Sequence, residues 1–159
     1  MYLKTLSLVS IRISGETVLG KTIQELKVGD RAEITRTVTP EDVTMFAQAT
    51  GDFNPVHLDE EYAKTTMFKT RIAHGLLSAG ILSAVLAGEL PGAGTVYLSQ
   101  TLKFLAPVRL GDTVTARVEI TALDLKKNRA TLDTTCLNQD GTLVISGQAT
   151  VMPPPPSKA

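Results

Sequence analysis

One cysteine, two histidines and no tryptophan are found among 159 residues, and each scarcity excludes something. A single cysteine, Cys136, forms no intrachain disulfide and cannot build a cysteine-rich zinc site. It falls in an alternating stretch on the same face as Leu132, where a free thiol acts as a small buried hydrophobe. Two histidines are few for a metal centre, and no metal is expected. Charge of one sign is also missing. Sixteen basic residues balance sixteen acidic ones, so no broad electrostatic footprint for nucleic acid or an anionic membrane is present. Long apolar runs are absent as well. The best candidate, Ile72 to Gly88, contains His74, two serines and three glycines and falls short of the roughly 20 apolar residues that a bilayer requires. The opening MYLKTLSLVSIRIS has only a brief apolar patch and no clear small-residue cleavage site. A cytoplasmic protein is expected.

The length suits one domain. LKVGD, Leu26 to Asp30, reads as a turn, and Arg31 to Val38 alternates with Ala32, Ile34 and Val38 on one face, as a strand does. Thr39 then offers an N-cap, Pro40 suits the first helical position, and Glu41 and Asp42 complement the helix dipole. This helix is expected to reach about Ala49 and to pack Val43, Phe46 and Ala47 inward. Thr50 to Lys69 reads as loop with short helical turns. From His74 to about Gly88 apolar residues fall on nearly every side, which predicts a helix buried all round. Four strand-like segments follow, roughly Thr95–Leu105, Thr113–Asp124, Arg129–Asn138 and Leu143–Met152. The second places Val114, Ala116, Val118, Ile120 and Ala122 on one face. Short turns between them imply an antiparallel meander. The pattern predicts an α+β domain over 26–152, a sheet curled around a long central helix. Residues 1–25 form an extension, either an extra strand or an arm. The Pro-rich tail 153–159 is expected to be extended and mobile.

The chemistry gathers in TGDFNPVH, Thr50 to His57, where Asp52 and His57 flank an Asn54-Pro55 turn. Such a turn brings an acid and a base to one point, where they can hold and deprotonate a water. An Asp-capped loop beside an incidental histidine gives the same letters, since short motifs often match by chance. Seventeen residues after His57 comes His74-Gly75, at the start of the apolar helix. The Gly75 N–H there can stabilise an oxyanion, or the glycine serves close packing. His74 reads as a substrate contact or as a helix-start residue bonded to a loop carbonyl. Gln100, on a face with Val96, Leu98, Leu102 and Phe104, bonds near the site or to neighbouring backbone. Arg71 and Lys69 are either solvated loop charges or partners for phosphate.

TGDFNPVHLD, then RIAHGLLSAG, then YLSQTLKFLAPVRLGD resemble the (R)-specific enoyl-CoA hydratases of the MaoC-like dehydratase group, over roughly Leu26 to Met152. The resemblance implies the hot dog fold and a homodimer, in some members a trimer of dimers, with acyl-CoA thioester sites near the subunit interface. The implied reaction is reversible hydration of a trans-2-enoyl-CoA. Asp52 and His57 match the catalytic pair, and the Gly75 N–H matches the oxyanion donor. Asn54, His74, Arg71 and Gln100 are the accompanying substrate-binding candidates. No cofactor is implied, because the thioester is its own electron sink. One departure stands out: some members carry a serine in the central helix where this chain has Gly80. A thioesterase and a non-catalytic acyl-binding module on the same fold are the alternatives. The paired Asp and His favour the hydratase.

Overall fold

The computed structural model describes residues 19–156. Its elements are β1 (Arg31–Thr37), α1 (Pro40–Thr50), α2 (Pro55–Leu58), α3 (Glu60–Thr65), α4 (Gly75–Gly88), β2 (Val96–Phe104), β3 (Thr113–Asp124), β4 (Arg129–Leu137) and β5 (Leu143–Met152). The five strands make one antiparallel sheet in the order β1-β3-β4-β5-β2. The sheet packs its inner face on α4, the hot dog arrangement. Among the described residues no helix is long and apolar enough to cross a membrane.

The core forms where α4 meets the sheet. Ile81, Leu82, Val85 and Leu86 of the helix join Val114, Val118, Ile120, Leu132, Ile145 and Val151. Each of these aliphatic side chains contributes about 1.5–3 kcal/mol when fully buried. Cys136 lies in the same core, fully buried, and burial pushes its thiol up to about 12.

Several sequence expectations need correction. The meander holds only for β3, β4 and β5. β2 pairs with β5 on the far edge, because β1 already occupies the free edge of β3. The chain from β2 to β3 therefore crosses the start of α4, where Ala73 N–H donates to the Val108 carbonyl at 2.7 Å and Ile72 bridges Arg109. A bulge between Ile120 and Ala122 turns Ala122 outward, so it does not share the buried face of Val114 to Ile120. Helix α4 is not buried all round. The sheet covers one side, and Leu76, Gly80, Ser83, Ala84 and Ala87 form an exposed face. Of the N-terminal extension, the described part is docked coil: Gly20 and Lys21 bond the Pro91–Ala93 loop, and Ile23 enters the core. Of the tail, Pro153 and Pro154 are buried, and Asn128 donates to the Pro153 carbonyl. The fold thus begins before and ends after the 26–152 boundaries. Expectations for 1–18 and 157–159 lie outside the described residues.

Candidate active site

The loop that carries the acid and base is set by the end of α1. Thr39 and Asp42 form a reciprocal capping box at its start. At its end, Gly51 turns into the left-handed region at φ 77° and donates its N–H to the Ala47 carbonyl. That conformation favours glycine, and it aims the next residue, Asp52, away from the helix. Asn54 caps the short helix α2 by accepting from Val56 N–H, and its own N–H donates to Asp52 Oδ1 at 3.2 Å. The turn thereby buries Val56 and His57 while leaving Asp52 half-exposed.

His57 Nδ1 lies 2.8 Å from the Ile72 carbonyl. A carbonyl only accepts, so Nδ1 carries the proton and the neutral ring keeps its lone pair on Nε2. Burial pushes the His57 pKa below its ordinary 6.5, with the neighbouring His74 adding to the effect. The Ile72 bond and Asp52 oppose it. His57 is therefore a neutral base with a fixed tautomer.

His74 is the N-cap of α4, yet its side chain makes no cap bond. Its Nε2–H instead donates to the backbone carbonyl of Asp52 at 3.0 Å. This bond is the one the loop-carbonyl reading of the residue expected, and His74 also lines the cavity of the site. Its ring packs, tilted, against His57 with centroids 3.9 Å apart and against Phe46 at 4.8 Å. Gly75 follows as the first residue of α4. Leading N–H groups of a helix have no intrahelical acceptor, and no acceptor for the Gly75 N–H occurs among the described residues.

Asp52, His57, His74 and Gly75 line one largely apolar cavity of about 450 Å³. Side-chain atoms of Asp52, His57 and His74 come within 4.8 Å of one another, close enough for one water to bridge acid and base. The same trio could be read as metal ligands, with one nitrogen of each ring already bonded. His57 Nδ1 and His74 Nε2 are committed to carbonyls, and lone pairs lie in the ring planes. That leaves one nitrogen of each ring, His57 Nε2 and His74 Nδ1, without a bond among the described residues. The arrangement suits proton transfer.

The remaining candidates lie elsewhere. Asn54 is exposed and acts as a cap. Arg71 donates through Nε to the His57 carbonyl at 2.7 Å and faces α1 beside Pro40, Thr44 and Met45. Gln100 is remote from the cavity. A bulge at Leu98 puts Tyr97, not Val96 and Leu98, on its face. Gln100 accepts from the Tyr97 hydroxyl and donates to Thr101 O and to the buried Thr134 Oγ1. It reaches Thr134 across Gly147, where a Cβ would run into the Thr101 carbonyl and Gln100 Nε2. Gly147→Ala is accordingly expected to lower the thermal midpoint by the equivalent of about 1–3 kcal/mol, the usual range for overpacking. An unchanged melt would contradict this packing.

Sequence reasoning did not single out the aromatic walls. Phe46, Phe68 and Phe104 line the cavity, and Phe104 ring carbons lie 2.5–2.6 Å from where a Gly75 Cβ would stand. The FLAPV segment held the signal for Phe104. Nothing in the sequence marks the Ile72 carbonyl. At Gly80 a Cβ would meet nothing within 4 Å, and Ser78, whose buried hydroxyl has no partner among the described residues, does not line the cavity. Neither Gly80 nor Ser78 therefore brings a hydroxyl to the cavity.

A neutral base, a facing carboxylate and a free helix N-terminal N–H, set in an apolar cavity on a hot dog fold, define a site for chemistry beside an activated carbonyl. Residues 23–140 match the MaoC like domain, and the chain belongs to that family. It is 49% identical over 142 residues to the (R)-specific enoyl-CoA hydratase of Rhodospirillum rubrum, covering 89% of this chain and 98% of that one. It is 47% identical over 136 residues to the 3-hydroxybutyryl-CoA dehydratase of Methylorubrum extorquens, covering 86% of each. The unliganded R-hydratase PhaJ1 of Pseudomonas aeruginosa superposes with a TM-score of 0.81 at 47% identity, over 86% of this chain and 88% of that one.

Proposed function

We propose that this chain catalyses the reversible hydration of trans-2-enoyl-CoA to (R)-3-hydroxyacyl-CoA. The observation that carries the reading is the convergence of Asp52 and His57 in one cavity with the Gly75 N–H. In the hydration direction, the Asp52 carboxylate accepts one hydrogen of a water and orients it. His57 Nε2 takes the other proton as the water oxygen bonds to C3. The displaced π electrons move through C2 to the thioester oxygen, which the Gly75 N–H and the α4 dipole stabilise. His57 then gives that proton to C2, which restores the carbonyl and returns the pair to its starting state. The thioester supplies the electron sink, so the reaction calls for no metal or redox cofactor. The apolar walls suit an acyl chain.

Crotonyl-CoA is expected to lose the ultraviolet absorbance of its conjugated thioester on incubation with the protein, without release of free thiol. Absorbance unchanged across a series of enoyl chain lengths would sink the reading. Because His57 must be neutral to act, and burial holds its pKa below 6.5, kcat/KM should persist as pH falls through 6.5 and drop only below it. The acid limb of a pH–rate profile reads this directly. A limb at or above pH 6.5 would contradict the electrostatics.

We propose in addition that two copies pair through β2, in the cytoplasm. Among the described residues β2 is an edge strand with unpaired backbone on one side, and Val96, Tyr97, Leu98, Phe104 and Leu105 on and beside it are exposed. A bare apolar edge invites pairing, and the exposed small-residue face of α4 lets a second protomer approach. Leu98→Lys is expected to convert a dimer to a monomer in sedimentation velocity. A wild-type protein that sediments as a monomer at tens of micromolar would end the proposal.

A further inference from the structure

Three consecutive parts of the site come from one short segment. The Ile72 carbonyl fixes the His57 tautomer, the His74 side chain holds Asp52, and Gly75 lines the cavity at the helix start. The segment is itself pinned by Ala73 N–H to the Val108 carbonyl. His74 is the joint between these parts. Its ring is nine-tenths or more buried, packs against the His57 imidazole at a 32° tilt, and donates to the backbone of Asp52. It does not serve its own helix, since the N-cap bond is absent. Its second nitrogen, Nδ1, has no partner among the described residues, where the ring's polar contact goes to Asp52. A purely structural N-cap is normally Ser, Thr, Asp or Asn.

We infer that His74 is a positioning residue of the hydration reaction, holding Asp52 and His57 in register with the Gly75 N–H. This inference rests on the hydratase reading. Its two contacts separate by substitution. His74→Phe keeps the ring against His57 and loses the N–H. His74→Gln loses the ring but keeps an N–H donor that can reach the Asp52 carbonyl. His74→Ala loses both.

Misplacing a reacting group by about 1 Å costs on the order of 10²-fold. His74→Ala and His74→Phe should therefore lose about 10²-fold in kcat on crotonyl-CoA, with KM changed by less than about threefold. His74→Gln should recover at least about tenfold of that loss. With only two histidines in the chain, long-range nitrogen–proton spectra of the wild type resolve both rings. The expected tautomers are Nε2–H for His74 and Nδ1–H for His57.

Wild-type kcat in His74→Ala overturns the inference while leaving the hydratase reading intact. So does a kcat loss that merely follows the thermal midpoint across the three variants with no recovery in His74→Gln. An Nδ1–H tautomer at His74 overturns it as well. A wild type that hydrates no enoyl-CoA overturns the inference and the hydratase reading together.

Discussion

Asp52→Asn is expected to lower kcat by about 10³-fold or more, at the upper end of what a positioned acid or base supplies, while the thermal midpoint stays near that of the wild type. The side chain is half-exposed, and its own bond is acceptance of the Asn54 N–H through Oδ1. An amide oxygen can keep that bond, so the turn survives. What the amide cannot do is carry negative charge toward the water and beside His57. His57→Gln should cost a similar factor for a different reason, since it removes the Nε2 base and weakens the link to Ile72. The two act on the same water, so the double variant should be scarcely worse than the poorer single one, as in other catalytic sets that work as a unit. Multiplicative losses would mean that the residues act in separate steps.

Gly75→Pro is expected to remove the oxyanion donor without removing the helix. Proline is favoured at the first helical position, where its missing N–H has no intrahelical partner. The preceding residue must be extended, and His74 already is, at φ −58° and ψ 132°. The obstacle is Phe104, whose ring occupies the space that any Cβ at Gly75 would need. The comparison therefore belongs in a Phe104→Ala background. There Gly75→Ala retains its N–H and Gly75→Pro lacks it. The Pro variant should fall a further 10²-fold or so in kcat, the usual loss for one oxyanion donor. Equal rates for the two would show that the N–H takes no part.

Much of this site was legible because its signals are local. An Asn-Pro turn between Asp52 and His57, and a His-Gly pair opening an apolar helix, depend on a few adjacent residues. So does the period-two face of β3 from Val114 to Ile120. What was not legible depends on distant partners. The place of β2 beside β5 follows from β1 having taken the edge of β3, which no stretch of β2 records. The bulges at Leu98 and Thr121 shift a face by one residue, and the flanking letters still alternate. Gln100 was assigned to the wrong neighbours for that reason. Helix α4 was read as wholly buried because its exposed face is made of small and apolar residues rather than charges. Sequence pattern cannot separate a face covered by the same chain from one left for another protomer.

The most direct measurement is a crystal structure of Asp52→Asn soaked with crotonyl-CoA. The account predicts the thioester oxygen about 3 Å from the Gly75 nitrogen, and C3 facing a water held between residue 52 and His57 Nε2. A thioester bound with its carbonyl turned away from Gly75, or with C3 out of reach of that water, would contradict it.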